Sequence, residues 1–181
     1  MRVLDTDITD VKVIEPVVHG DARGFFLESF NERSFGAMLG RKARFVQDNH
    51  SRSNGGVLRG LHYQINHAQG KLVRVVRGEI FDVAVDLRKS SPTFGKWAGA
   101  RLSAENFRQI WIDVGCAHGF VVLSDVADVI YKTTDFYSPS DECCIIWCDP
   151  DLAIDWPIYG EPELSARDRE GVLFKDAELF A

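Results

Sequence analysis

Short runs of alternating apolar and polar residues, separated by turn residues, dominate the middle of the chain. The clearest pair of runs spans residues 71–88, with Arg77-Gly78-Glu79 as the turn between them. In the second run the odd-numbered apolar residues from 81 to 87 share one face, and Asp82 and Asp86 share the other. A period of two with one apolar face predicts a half-buried strand.

Similar runs recur along the rest of the chain. They cover residues 109–112, 118–123, 129–137 and 144–148. Short strands at regular spacing predict a mostly β fold, an antiparallel sandwich or barrel. Helices are few: residues 31–39 are one candidate, and Ser165, a good N-cap residue, marks the start of another. No repeat or linker divides the sequence, so we expect one domain over residues 1–181.

Composition narrows the class of protein. The chain has 181 residues, of which 45% are hydrophobic and 27% charged, as is typical of a globular domain with its own core. A formal net charge of −6 argues against a nucleic-acid or anionic-membrane binder, because both require a large positive field. The acidic N-terminus and the lack of a long apolar run predict a cytoplasmic protein.

The spacing of cysteine and histidine residues argues against a metal centre. No Cys-x-x-Cys pair occurs, so neither a zinc ribbon nor a thioredoxin-type site is supported, and we expect buried free thiols. Histidines two apart in a strand would share a face, but Gln64 stands two residues after His62. We therefore expect no bound metal. A site built from His62, His118 and a carboxylate is the alternative.

The usual phosphate-binding and nucleophile motifs are absent, which argues against a nucleotide cofactor held in an αβ cradle. What remains is a set of polar residues within strand-like sequence: Arg59, His62, Lys71, His118 and Tyr131. Each of these residues alone is more typical of a packed, hydrogen-bonded side chain than of a catalyst.

A series of short motifs nevertheless follows in order from residue 21 to residue 168. They are DARGFFLESF (21–30), QDNHSRS (47–53), GVLRGLHYQ (56–64), GKLVRV (70–75), DVAVDLR (82–88), SPTFG (91–95), AHGF (117–120), YK (131–132) and WCDP (147–150). Together they resemble the dTDP-4-dehydrorhamnose 3,5-epimerase family of deoxysugar biosynthesis.

The resemblance implies a cupin-type antiparallel jelly roll, usually a homodimer, that uses neither metal nor cofactor. It implies inversion of C3 and C5 of dTDP-4-dehydro-6-deoxy-D-glucose to give dTDP-4-dehydro-L-rhamnose. His62 would be the catalytic base, Tyr131 the proton donor and Asp168 the residue that orients the base. The implied substrate contacts are Arg23, Glu28, Gln47, Asp48, Asn49, Arg59, Lys71, His118, Glu142 and Arg167.

The chemistry suits these residue types. A ketone at C4 acidifies the C–H bonds at C3 and C5, and an imidazole titrates near neutrality, as a general base should. Lys71 or His118 would stabilise the enolate. Guanidinium groups such as Arg23 and Arg59 suit a pyrophosphate, and Phe25 or Phe26 would stack on the thymine ring.

One geometric difficulty follows from the spacing. Arg59 and His62 have opposite parity in a regular strand, so they cannot both face one cavity. We therefore predict a bulge or twist at Gly60, which lies between them.

Three other functions stay open at this point. The first is a relative that inverts only one centre of a 4-keto deoxysugar nucleotide. The second is a metal-dependent cupin enzyme. The third is a sugar-binding or nucleotide-binding jelly roll without catalytic activity.

Overall fold

The chain forms two antiparallel sheets that pack face to face. The computed structural model describes residues 1–181. The first sheet has the spatial order β1 (Arg2–Asp5), β2 (Val11–Glu15), β10 (Gln109–Ile112), β7 (Lys71–Arg77), β12 (Val126–Thr133) and β5 (Gln47–Asn54). The second has the order β13 (Glu142–Cys144), β6 (Leu58–Gln64), β11 (Cys116–Val122), β8 (Glu79–Asp86) and β9 (Trp97–Ser103). A separate hairpin consists of β3 (Val18–Asp21) and β4 (Gly24–Leu27).

The connections between β5 and β12 define the topology. The chain passes from one sheet to the other at every step except the β8–β9 hairpin. This places β5, β12, β7 and β10 side by side, facing β6, β11, β8 and β9. Two interleaved four-stranded sheets of this kind are a jelly roll, so the predicted fold class is confirmed.

Both predicted helices form, and the second begins after its expected cap, Ser165. Helix α1 (Glu32–Leu39) follows Asn31, whose side chain accepts hydrogen bonds from the first N–H groups of the helix. Helix α2 (Ala166–Arg169) follows Ser165, whose hydroxyl accepts from the N–H of Asp168. No helix in the structure has the length and apolar character needed to span a membrane.

Strand β8 is correctly predicted as a strand, but the prediction that it is half-buried is wrong. Asp82 and Asp86 are both fully buried, and so is Val83 on the opposite face. The reason is that the C-terminal part of the chain crosses the outer face of the second sheet, where residues such as Leu152 cover the apolar face of β8. The face of β8 that carries Asp82 points between the sheets, where Ile80 and Ala84 pack in the core and Asp82 pairs with His118.

Candidate active site

A polar cavity of about 420 Å³ opens between the two sheets. Its walls come from β5, β7 and β12 on one side and from β6, β11 and β13 on the other, and α2 borders it. Most of the residues implicated by the resemblance line it: Gln47, Asn49, Arg59, His62, Lys71, His118, Tyr131, Glu142, Arg167 and Asp168.

His62 and Asp168 form a hydrogen-bonded pair in the cavity wall. Nε2 of His62 lies 2.6 Å from Oδ1 of Asp168, and the N–H of Gly60 donates to the same oxygen at 3.2 Å. The Ser165 hydroxyl donates to Oδ2 at 2.6 Å. Burial acts to raise the pKa of Asp168, but hydrogen bonds from His62 and Ser165 outweigh it and lower this pKa below its ordinary value. Asp168 is thus a carboxylate that holds a proton on Nε2, which leaves Nδ1 as the basic ring nitrogen.

The predicted distortion at Gly60 brings Arg59 and His62 into this one cavity. His62 pairs with His118 of β11, and the register then shifts by one residue before Arg59. Gly60 has a φ of 120°, and a Cβ added there would lie 2.6 Å from the Cα of Gly119. Because a side chain would collide with backbone in a left-handed conformation, glycine is required at this position.

Two buried nitrogen groups, those of Lys71 and His118, also reach the cavity. Burial lowers the pKa of Lys71 to about 8, although Asp82 and Glu142 oppose the shift, and its Nζ donates to the carbonyl of His62 at 3.3 Å. Nε2 of His118 lies 2.9 Å from Oδ2 of Asp82. Burial lowers the pKa of His118 despite this carboxylate, so the ring is neutral at neutral pH.

Tyr131 enters the cavity from the sheet opposite to that of His62. It lies on β12, where it pairs with Asn49 of β5 and Val73 of β7. Burial raises the pKa of its phenol, although the positive charge of Arg59 works in the other direction. Tyr131 is therefore a neutral phenol at neutral pH, the state that can donate a proton.

An ion pair joins α2 to β13 at the cavity edge. Arg167 donates to the carboxylate of Glu142, and the Tyr137 hydroxyl donates to the same oxygen at 2.6 Å. Tyr137 lines the cavity but is not identified from the sequence. The run 129–137 predicted a strand as far as Tyr137, but β12 ends at Thr133 and Tyr137 lies in the irregular segment beyond it. The one available signal is an aromatic residue just before Ser138.

Asp48 lies outside the cavity, contrary to its place among the implied contacts. Residues 47, 49 and 51 of β5 line the cavity, so Asp48 points to the opposite face. There its carboxylate accepts two hydrogen bonds from Lys132, each at 3.0 Å. The period of two along β5 therefore removes Asp48 from the cavity of its own chain.

Arg23 and Glu28 also lie outside the cavity. The Arg23 side chain is 90% exposed at the tip of the β3–β4 hairpin and pairs with Asp21 at 2.5 Å. Glu28 follows β4 and accepts a hydrogen bond from the residue that caps α1. Phe25 and Phe26 are largely exposed on the same hairpin. Within one chain, none of these residues reaches the cavity.

The expectation of buried thiols holds for Cys116 alone, because the other three cysteines are half-buried or exposed. Cys144 pairs with His62 across β13 and β6. Its Sγ and the side-chain ligand atoms of His62 and Asp168 all lie within 4.8 Å of one another. Burial, reinforced by the Asp168 carboxylate, raises the pKa of Cys144 to about 12, so the group is a neutral thiol.

Sequence comparison connects this geometry to known proteins. The family model for dTDP-4-dehydrorhamnose 3,5-epimerase matches residues 5–176. A dTDP-4-dehydrorhamnose 3,5-epimerase of Pseudomonas aeruginosa is 61% identical over 180 residues, and the alignment covers 99% of each chain.

Solved structures share the fold over nearly the whole chain. The dTDP-6-deoxy-D-glucose-3,5-epimerase of Legionella pneumophila in complex with dTDP-4-keto-L-rhamnose has a TM-score of 0.95 at 54% identity, covering 98% of this chain and 94% of that one. A 3′-monoepimerase of Streptomyces bikiniensis in complex with dTDP-quinovose has a TM-score of 0.88 at 37% identity, covering 93% and 86%.

Proposed function

This chain belongs to the dTDP-4-dehydrorhamnose 3,5-epimerase family, and we propose that it converts dTDP-4-dehydro-6-deoxy-D-glucose to dTDP-4-dehydro-L-rhamnose. One observation carries the proposal: His62 and Tyr131 approach a single cavity from opposite sheets. Inversion of a carbon requires a base on one face of the sugar and a proton donor on the other.

Proton abstraction falls to Nδ1 of His62. The C4 ketone makes the neighbouring C–H bonds acidic, because the carbanion is delocalised onto the ketone oxygen. Asp168 accepts from Nε2 at 2.6 Å, which orients the ring and stabilises the imidazolium that forms. Neither a redox nor a phosphoryl-transfer step is needed.

The enolate oxygen requires a preorganised donor, and Lys71 is the best placed. Its ammonium is buried, so little solvent screens its charge, and its one side-chain hydrogen bond is the 3.3 Å contact to the carbonyl of His62. His118 is neutral and gives its one ring N–H to Asp82, so it has none for the enolate, and this role falls to Lys71. A cation beside a developing oxyanion is the arrangement that lowers such barriers.

Reprotonation is the role of Tyr131. Its raised pKa keeps the phenol protonated, and its position on β12 lets it deliver that proton to the face opposite His62. The donor is therefore ready before the carbanion forms.

The dTDP part of the substrate is anionic, whereas the chain carries a net charge of −6. Arg59 and Arg167 supply local positive charge at the cavity, and a guanidinium can hold two phosphate oxygens at once. Gln47 and Asn49 present amides to the same space. The site thereby attracts an anion despite the unfavourable overall field.

We also propose that the enzyme is a homodimer in which the cavity is completed by a second copy. Arg23 and Glu28 act on substrate only if the β3–β4 hairpin of one chain reaches the cavity of the other. The exposed rings of Phe25 and Phe26 on that hairpin support this, because large apolar groups at a surface favour association.

Mixing two variants tests this arrangement. His62→Ala and Arg23→Ala chains, each impaired alone, are unfolded and refolded together. A shared site restores roughly a quarter of the sites, since half the dimers are mixed and one site in each is native. Sites contained in single chains give no recovery.

Free thiols on all four cysteines support a reducing compartment, and we propose the cytoplasm. Cell fractionation with an antibody to the chain tests this placement.

A single-centre epimerase is the second candidate, because the Streptomyces bikiniensis 3′-monoepimerase shares the fold at a TM-score of 0.88. NMR of dTDP-4-dehydro-6-deoxy-D-glucose with the enzyme in D₂O separates the two. Deuterium at both C3 and C5, with the L-rhamno product, supports the first proposal, and deuterium at one carbon supports the second. No deuterium at either carbon rejects both for this substrate.

A further inference from the structure

A thiol stands beside the catalytic pair without a part in the proposed reaction. Cys144 lies opposite His62 in the β13–β6 ladder, and Asp168 reaches the same point from α2. Three elements thus bring an imidazole nitrogen, a sulfur and a carboxylate oxygen within 4.8 Å of one another.

These distances suit a tetrahedral metal ion. Zn²⁺ bonds to nitrogen or oxygen at ~2.1 Å and to sulfur at ~2.3 Å, so tetrahedral ligand atoms lie roughly 3.4 to 3.6 Å apart. The three ligand atoms already lie within 4.8 Å of one another, but the His62–Asp168 contact of 2.6 Å must open by about an ångström. Helix α2, which carries Asp168, is four residues long and begins at a loop, so a shift of this size is local.

We propose that His62, Cys144 and Asp168 form a binding site for Zn²⁺ and similar thiophilic ions, and that occupation of this site inhibits the enzyme. The inhibition, but not the metal binding, rests on the proposed function of His62. The cavity beside His62 and Asp168 has room for a water molecule as a fourth ligand.

The positions of the His62 and Cys144 protons explain why Zn²⁺ binding would inhibit the enzyme. Zn²⁺ takes the Nε2 lone pair, so the ring proton must sit on Nδ1, and the Cys144 proton is released to solvent. Asp168 gives up its hydrogen bond to Nε2 and ligates the ion through Oδ1, while Ser165 still donates to Oδ2. Nδ1, now protonated, has no lone pair with which to remove a substrate proton.

The ligand set also predicts selectivity. Sulfur and imidazole favour Zn²⁺, Co²⁺ and related ions, whereas Mg²⁺ and Ca²⁺ prefer sites made of oxygen. We therefore expect inhibition by Zn²⁺ and Co²⁺, and none by Mg²⁺ at the same concentration.

Two adjacent cysteines provide a matched pair of variants. Cys144→Ser removes the proposed ligand, and Cys143→Ser changes the neighbouring residue, which faces the other side of β13. Each variant is titrated with Zn²⁺ and compared with its own metal-free rate. We expect Cys144→Ser to raise the half-inhibitory Zn²⁺ concentration at least ~10-fold, and Cys143→Ser to leave it unchanged.

The absorption spectrum with Co²⁺ gives a second readout that needs no turnover. We expect a sulfur-to-cobalt charge-transfer band in the wild type and in Cys143→Ser, but not in Cys144→Ser. A band that persists in Cys144→Ser, or equal Zn²⁺ inhibition of both variants, overturns the site. If the band behaves as expected but the metal-free enzyme shows no C–H exchange, the proposed function fails and the metal site stands.

Discussion

Replacing Asp168 by Asn tests how much of the catalysis depends on a negative charge behind His62. The hydrogen bonds around Asp168 allow this substitution to remove the charge without changing the orientation of His62. The N–H of Gly60 donates to Oδ1, so the amide oxygen must occupy that position, facing Nε2 of His62. The Ser165 hydroxyl, which now donates to Oδ2, turns to accept from the new Nδ2. The ring orientation and tautomer are kept, and only the charge is lost.

The magnitude follows from what the charge does in the transition state. A hydrogen bond to a charged group contributes about 1.5 to 3 kcal/mol, and two unit charges 4 Å apart near a protein surface interact by about 4 kcal/mol. At 1.36 kcal/mol per factor of ten, the C–H exchange rate in Asp168→Asn falls roughly 13- to 900-fold. Asp168→Ala loses orientation as well as charge, so its rate falls further.

The assay is the initial rate of deuterium incorporation at C3 and C5, measured by NMR for the wild type, both Asp168 variants and His62→Ala. Binding of dTDP, followed by calorimetry, is the control and should not change. A rate for Asp168→Asn within about threefold of the wild type refutes the role of the charge. A rate as low as that of His62→Ala refutes the argument that the tautomer is preserved.

Three other substitutions test separate parts of the site. In Tyr131→Phe, proton abstraction should survive while inversion at C5 is impaired, so equal loss of exchange and inversion by NMR argues for another role. Because the pKa of Lys71 is lowered to about 8, its ammonium is present below that pH and lost above it, so kcat should fall as pH rises through about 8. Lys71→Arg should lack this decline, and a wild-type profile flat to pH 9.5 would contradict it. Gly60→Ala places a Cβ 2.6 Å from backbone at a φ of 120° and should destabilise the fold by about 3 kcal/mol, lowering Tm by roughly 6–12 °C in calorimetry; a Tm within about 2 °C of wild type would show that the strand relaxes freely.

Local patterns predicted part of the secondary structure. The runs at 71–76, 80–87, 109–112 and 118–123 match β7, β8, β10 and β11, whereas the run 144–148 lies mostly outside β13 and β9 matches no predicted run. The alternation in β8 and the cap residue Ser165 act through neighbours along the chain, so their effects are readable without a fold. The family resemblance implied that Arg59 and His62 share one cavity, and their opposite parity then predicted the irregular strand at Gly60, because a regular strand cannot turn both residues to one face.

The tertiary structure decided which face of each strand is interior and which segment packs against it. The apolar face of β8 forms a buried cluster with the C-terminal segment, and the face that carries Asp82 is also buried, between the two sheets. Which face of a strand is interior depends on what packs against each side, and that information lies far away in the chain. Asp48 lies outside the cavity of its own chain because its neighbours in β5, Gln47 and Asn49, face the cavity.

The sequence by itself determined the β architecture, the family and the residue types that suit proton transfer at a carbon acid. Only the tertiary structure placed His62 and Tyr131 on opposite walls, excluded Arg23 from the cavity of its own chain, and set Cys144 beside the catalytic pair. The physical reason is the sequence separation over which each effect acts. Secondary-structure propensity, helix capping and hydrophobic periodicity act between residues a few positions apart, whereas a site is formed by side chains that are far apart in the chain and meet through packing.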